Sequence, residues 1–368
     1  MKNMKAWDAI VLGGGVIGMS LARELRKQGA DVLVIDRGQP GQEASHAAAG
    51  MLAPFGAHMP AALRPLASIS AGLFAEFVHE LEDESERVVD LRDSGALVTE
   101  DELGEVAGDK ELNPAELHAL EPCLEYRPGM HFVHERSVDP RALMAALLDA
   151  AKHRGIHIAH GSAAAAVRRA DGHLTVNSER TEYIAPRVVN CCGAWAGTIG
   201  GSCQPLPVRP VKGQMLSLVA PHRDILKHVV RTSEVYLVPR TDGRVLVGAT
   251  VEEAGFDKRV DSDVIQKFHQ LAAHFVPDLG EARILEAWAG LRPGTPDDLP
   301  VLGETDVPGY FVATGHFRNG ILLAPATAIA MASRVRGVAP AIDLAPFSPQ
   351  RFAQTKLAAE KGPVRFAS

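Results

Sequence analysis

A glycine triad set between a short apolar run and a helical pattern constrains this chain more than any other feature. In residues 7–36, WDAIVLGGGVIGMSLARELRKQGADVLVID, the run Ala9–Leu12 ends in Gly13, Gly15 and Gly18, which stand in G-x-G-x-x-G spacing. The spacing carries information because it follows a strand and opens a helix. Gly13 permits a tight turn, Gly15 lets backbone approach a pyrophosphate, and Gly18 lets the helix pack closely on the strand. Phosphates then sit at the helix N-terminus, where unpaired N–H groups and the dipole favour negative charge. Leu21 and Leu25 share one helical face, and the helix ends near Gly29. Residues 32–35 then form a second strand closing on Asp36, whose carboxylate can accept both hydroxyls of a ribose. The segment reads as dinucleotide binding, against the alternative of a glycine-rich turn in an unrelated α/β protein. Nothing in it separates NAD from FAD.

A chain of 368 residues suits two domains, or one large domain with an insertion. With 38 basic and 45 acidic residues, net charge -7, and no dense Lys/Arg cluster, it offers no basic face to nucleic acid. Cys123, Cys191, Cys192 and Cys203 lack metal-ligand spacing, so reduced, packing thiols in a cytoplasmic protein are expected. The apolar stretch behind Lys2 and Lys5 is broken by Asp8 and the fingerprint glycines, so no signal peptide is expected. No run approaches the length of a membrane span.

Further along, Leu66, Ile69, Leu73, Phe77 and Leu81 recur at helical spacing as a core stripe. Asn113-Pro114-Ala115-Glu116 and Asp139-Pro140 are helix starts. Short strands follow to Cys192, with a turn at Asp171-Gly172, and the last of them ends in Gly193. From Lys212 to Thr250 the pattern becomes antiparallel, with strands at 215–219, 235–239 and 245–249 and a turn at Thr241-Asp242-Gly243. A helix over 261–275 and a strand over 284–288 lead into a glycine-flanked loop holding Arg292. A last strand over 310–313 enters a second glycine-rich loop, 315–320, and then a long apolar helix ending near Gly337. This order predicts a discontinuous nucleotide-binding domain (1–84, 136–205 and 286–340), a β-rich inserted domain (85–135 and 206–285) and a tail (341–368) that is surface helix or partly loose.

No G-x-S-x-G elbow, H-E-x-x-H motif or metal-ligand cluster is present in the sequence, so no metal is expected and the hard chemistry falls to a cofactor. Arg292 and Arg318 stand in the two glycine-rich loops, where a planar guanidinium suits a carboxylate; taken singly, each reads sooner as a surface ion pair, and it is the pair in glycine-rich loops that favours binding. Tyr236 lies in a strand with Val235 and Leu237 facing the other way, so its hydroxyl can cap the same carboxylate.

The fingerprint with Asp36, AAAGML at 47–52, VKG at 211–213, YLVPR at 236–240, VGAT at 247–250, WAGLRPGT at 288–295 and GHFRNGILLAPA at 315–326 together resemble the glycine oxidases. These belong to the FAD-dependent D-amino-acid-oxidase and sarcosine-oxidase group, and the resemblance runs to about Gly337. It implies an α/β fold: a Rossmann-like FAD-binding domain of the glutathione-reductase type, with an inserted antiparallel β-sheet domain that binds substrate. The implied activity is oxidative deamination of glycine, sarcosine and small D-amino acids to an imine and then glyoxylate, with O2 reduced to H2O2. In this family the imine supplies a thiazole synthase in thiamine synthesis. Besides Gly13, Gly15 and Gly18, the resemblance places FAD contacts on Val16, Ile17, Asp36, Arg37, Ala44, Ser45, Ala49, Gly50, Met51, Val167, His316, Phe317, Arg318, Asn319, Gly320, Ile321 and Leu322. Substrate contacts fall on Arg292, Arg318 and Tyr236, no protein group is catalytic beyond the flavin, and a homo-oligomer is expected.

The nearest alternative is a D-amino acid dehydrogenase of the same fold that hands electrons to a quinone. An NAD(P)-dependent dehydrogenase would not need the second glycine-rich return, and a redox-inactive scaffold would hold a flavin that no amine bleaches. Two positions depart from the family pattern: His46 stands where glycine oxidases carry a small hydroxyl residue, and Val251 replaces a methionine.

Overall fold

β1 (Ala9–Leu12), α1 (Val16–Lys27) and β2 (Val32–Asp36) form where the glycine spacing puts them. The structure is a computed structural model describing residues 6–104, 110–170, 172–179, 181–201, 203–352 and 365–366. β1 is buried throughout and pairs in parallel with β2 and with Val188–Asn190, as continuous apolar runs do in sheets covered on both faces. In spatial order the six strands are Val301–Glu304, Tyr310–Thr314, Val188–Asn190, β1, β2 and His157–His160, and only the first is antiparallel. The carboxyl ends of β1, β2 and Val188–Asn190 therefore open on one side, where such sheets bind ligands.

The helix Arg64–Ser85 packs against Pro140–His153 and Gly320–Val335. It buries Leu66, Ala67, Ser70, Phe74, Phe77, Val78 and Leu81, whereas Ile69 is 44% exposed and Leu73 only half-buried. The predicted stripe was thus set partly off phase, because two flanking helices, not one, decide which side is covered. Ala61–Ser85 is also 25 residues long with a mean hydropathy of 1.3 in its best stretch, enough by length and composition to cross a membrane. This corrects the expectation that no run approached that length; here its apolar side chains serve the core shared with the two neighbouring helices. Pro325 stands inside Gly320–Val335, where its ring removes a backbone donor and opens the helix. The Ser70 hydroxyl fills the opening, donating to the Leu322 carbonyl at 2.6 Å and accepting from the Ala326 N–H at 3.2 Å.

The second sheet has seven strands, in the order Arg283–Gly294, Arg209–Val219, Arg244–Gly248, Tyr236–Pro239, Val229–Arg231, Ala96–Thr99 and Met130–Val133. All neighbours are antiparallel except Val229–Arg231 with Ala96–Thr99. Alternation along each strand divides its two faces. Leu216, Leu218, Leu237 and Val247 pack on the helix Ser262–Phe275, while Met215, Tyr236, Val238 and Leu246 pack on the other side with Ala49. Val235 and Leu237 do face away from Tyr236, as the pattern predicted.

One expectation fails here. The strand expected to stop at 288 runs from Arg283 to Gly294 and pairs with Arg209–Val219 along its length, so Arg292 is a strand residue, not a loop residue. The expected domain boundary at 286 falls inside it. Pro293 is tolerated because this is an edge strand, with a partner on one side only. The turn at 241–243 is present, with Gly243 donating to the Arg240 carbonyl. Gly172 has φ +81°, while Asp171 lies outside the described residues. Of the tail, residues 345–352 form short 3-10 turns held by Arg351 on Asp297 at 2.8 Å, and Arg365–Phe366 pairs with Thr250–Val251. Residues 353–364 and 367–368 lie outside the described residues.

Candidate active site

The two sheets enclose a cavity of about 400 Å³, with the glycine fingerprint at one end and Tyr236, Arg292 and Arg318 on the other sheet's side. At the fingerprint end, the Gly14 and Gly38 N–H groups donate to the two oxygens of Asp36 at 2.7 and 2.8 Å, which fixes the carboxylate. The Val16 N–H donates to Ser45 Oγ at 2.9 Å, so the segment 44–51 is tied to the start of α1. A Cβ on Gly18 would collide with the Gly13 carbonyl, and one on Gly13 with the Cys191 carbonyl. At Gly15 it would meet only Ser45 Oγ, at 3.2 Å. Two of the three glycines are thus required by the protein itself, while the third leaves room on the cavity side. That vacant cradle at a helix N-terminus is the fit expected of a dinucleotide.

On the opposite wall, Phe317 has φ +46° and donates its N–H to the Pro293 carbonyl at 3.0 Å, which ties the 315–320 loop to the strand carrying Arg292. The His316 ring lies 3.2 Å from Thr327 Oγ1, anchoring the loop to its own helix. A Cβ on Gly320, at the helix start, would meet only His316 Cβ at 3.7 Å.

Seventeen of the predicted cofactor positions line this cavity: Gly13, Gly15, Val16, Ile17, Asp36, Arg37, Ala44, Ser45, Ala49, Gly50, Met51, His316, Phe317, Arg318, Asn319, Gly320 and Ile321. Gly18, Val167 and Leu322 do not. Gly18 serves helix packing, Val167 is buried in a core cluster with Leu174 and Val176, and Leu322 is turned into the core beside Ile321 and Leu323. Trp195 was missed, although the Gly193 that marks its strand end was read correctly; the Arg37 guanidinium lies 3.5 Å from its ring centroid. His46 and Val251 stand off the cavity. Burial, then the charge of Arg141, holds the His46 imidazole below its usual pKa.

The family description "FAD dependent oxidoreductase" (DAO) matches residues 8–334. The chain belongs to this family. It is 34% identical to the glycine oxidase of Geobacillus kaustophilus over 365 residues, covering 93% of this chain and 96% of that one. The crystal structure of glycine oxidase from Geobacillus kaustophilus superposes with a TM-score of 0.87 at 33% identity, covering 94% of this chain and 99% of that chain. The chain is also 36% identical over 346 residues to the bifunctional protein ThiO/ThiG of a Nostoc strain, covering 89% of this chain. It spans about half the length of that relative, 52%. The cofactor is FAD, and the fold is that of this family of FAD-dependent oxidoreductases.

On the wall carrying Arg292, Gly213 explains the VKG motif. A Cβ there would occupy the Arg292 guanidinium, which lies across the strand and donates to the Thr250 carbonyl at 2.9 Å. Burial pulls the Arg292 pKa down, opposed by the neighbouring Tyr236. Burial likewise raises the Tyr236 phenol, while Arg292 and Arg318 pull it back. The surrounding protein, and then the like charge of Arg292, lower Arg318. A partly buried guanidinium and a neutral phenol thus lie together, with the exposed Arg318 acting on both across the cavity, an arrangement that an anion relieves. The candidate carboxylate clamp predicted from sequence is assembled from three separate segments.

His316 is neutral, because burial pulls its pKa to about 3 from a usual value of 6.5. The unfolded chain therefore binds a proton below pH 6.5 that the native state refuses, and stability falls as pH drops from 6.5 towards 3. In urea titrations of FAD-saturated protein, His316→Gln is expected to lose stability less steeply than the parent by about 1 kcal/mol per pH unit in this window. Equal slopes would place the acid-sensitive group elsewhere. Among the described residues, Cys123, His222 and Asp278 bring ligand-type atoms within 4.8 Å of one another, well apart in sequence and off the FAD cavity.

Proposed function

We propose that this protein oxidises glycine and closely related small amines at the Cα–N bond, delivering the imine and passing electrons to O2. The carrying observation is the Arg292, Tyr236 and Arg318 grouping on the same cavity as the FAD fingerprint. A carboxylate held bidentately by Arg292 and capped by Tyr236 directs the adjacent Cα and amine away from the clamp. Bound FAD supplies the two-electron acceptor. Arg292 and Tyr236 would hold the carboxylate and so place Cα, while the substrate ammonium gives its proton to solvent and reacts as the neutral amine. The family reading needs no protein base for this, and His316, neutral and paired with Thr327, is already engaged elsewhere. Ala47 packs directly on the bare Gly290, which narrows the cavity on that side and suits glycine-sized substrates.

The ThiO/ThiG relative, in which a similar chain shares a polypeptide with a second protein, supports the reading that the imine is passed to a thiazole synthase in thiamine synthesis. The four cysteines are unpaired, which fits a reducing cytoplasm. Adding glycine anaerobically to the purified yellow protein is expected to bleach the flavin, and admitting air to restore it with formation of peroxide. A flavin that glycine, sarcosine and D-alanine all leave oxidised would overturn the proposal. Reoxidation by a quinone but not by O2 would identify a dehydrogenase instead.

A further inference from the structure

Away from the cavity, one group of side chains has the donor set of a metal centre. The ligand atoms of Cys123, His222 and Asp278 all lie within 4.8 Å of one another, and His222 Nε2 stands 3.9 Å from Asp278 Oδ2. The three come from distant segments, so no sequence spacing marks them. Cys123 follows the helix Pro114–Leu120, His222 lies in the connection after Arg209–Val219, and Asp278 lies in the 3-10 turn Pro277–Glu281.

One core sets all three backbones. Leu124, Ile225, Val276 and Leu279, near neighbours of the three residues in sequence, are buried in the apolar cluster under the helix Ser262–Phe275, and Cys123 packs against the same cluster. The Glu125 N–H donates to the Phe275 carbonyl at 2.8 Å, which ties the Cys123 segment to the helix end just before Asp278. The Ala220 N–H donates to the Gly243 carbonyl at 3.1 Å and fixes the start of the His222 connection. The side chains of His222 and Asp278 are 53% and 59% exposed, so they have room to adjust on these fixed supports. Ligand atoms on tetrahedral zinc stand about 3.3–3.5 Å apart, so closing on an ion asks for shifts of about 1 Å. Behind burial, the charges of Asp278 and Glu121 both raise the Cys123 thiol, a local excess of negative charge that a divalent cation offsets. An exposed His–Asp ion pair alone contributes little to stability and gives the thiol no part.

We propose that Cys123, His222 and Asp278 bind a zinc ion, with three protein ligands and the fourth position open to water. Thiolate, imidazole and carboxylate together suit this borderline-soft cation and not Mg2+ or Ca2+, which prefer oxygen alone. Cys123 ligates as the thiolate, its proton passing to solvent. The ion clamps the segment after Pro114–Leu120 and the connection at His222 to the end of Ser262–Phe275, off the FAD cavity. It stabilises this side of the antiparallel sheet and takes no part in the oxidation.

The test uses the full FAD-loaded chain without an affinity tag, stripped of metal by a chelator. Zinc affinity and stoichiometry are read by competition with a chromophoric chelator, and the thermal transition is followed with and without zinc. One zinc per chain is expected, with a rise in the transition that Mg2+ does not give. Cobalt in its place should give strong absorption in the red, beyond the oxidised flavin bands, from a tetrahedral site with a thiolate. Loss of an outer-shell partner already weakens metal sites by 10–100-fold, so Cys123→Ser and His222→Ala are each expected to weaken zinc binding by about a hundredfold and to abolish the thermal rise. Should Cys123→Ser disturb the metal-free fold, the exposed His222→Ala carries the same comparison. A parent chain that takes up less than one zinc, or variants that bind zinc as tightly as the parent, would overturn the site.

Discussion

Arg292→Met is expected to lower kcat/KM for glycine by about a hundredfold to a thousandfold, the loss of a bidentate charge-assisted contact worth roughly 3–4 kcal/mol. The substitution takes away the planar fork and also strands the Thr250 carbonyl, to which Arg292 Nη1 now donates. Arg292→Lys should recover little, because a point charge on a flexible stem cannot reproduce two parallel N–H bonds. The diagnostic comparison is with a small amine lacking a carboxylate. Its oxidation should suffer far less, so the ratio of glycine to simple-amine turnover should collapse. Similar losses for both substrates would mean that Arg292 holds the strand pair Arg209–Val219 and Arg283–Gly294 and does not bind substrate.

The largest effect on the cofactor is expected at Gly15. A valine there points into space that the protein leaves open except for Ser45 Oγ, so the chain should fold and purify without FAD. Gly18→Val is the contrasting case: its Cβ runs into the Gly13 carbonyl, and α1 cannot then rest on β1 in a folded chain. The readings are flavin absorbance, recovery on reconstitution with FAD, and the thermal transition of the apoprotein. A yellow Gly15→Val protein would place the pyrophosphate somewhere other than the fingerprint.

The parts that were legible in the sequence are local. β1, α1, β2 and Asp36 depend on neighbours within thirty-odd residues, and glycine spacing encodes their geometry directly. The capping box at Asn113 is of the same kind, with the Asn113 and Glu116 side chains each accepting from the other's backbone. Arg292 was found through its glycine and proline neighbours, yet those same residues suggested a loop. An edge strand accepts Pro293 because one side of its backbone has no neighbouring strand to which an N–H would donate, and Gly290 and Gly294 are bare there because Ala47 and Val211 press against them. The face of Arg64–Ser85 was misjudged at Ile69 because helical periodicity gives a stripe but not the number of helices that will cover it.

The Ser70 hydroxyl seated at Pro325 divides Gly320–Val335 into two pieces with different masters. Beyond the proline, the helix keeps its own backbone ladder and belongs to the core. Before it, the opening turn that starts at Gly320 is steered by a side chain from another helix, through the Leu322 carbonyl. The direction in which that turn's free N–H groups face the cavity is therefore not a property of the loop that carries Arg318 and Asn319. It is inherited from the docking of Arg64–Ser85, so packing on the far side of the helix sets the aim of the groups at that end of the cavity.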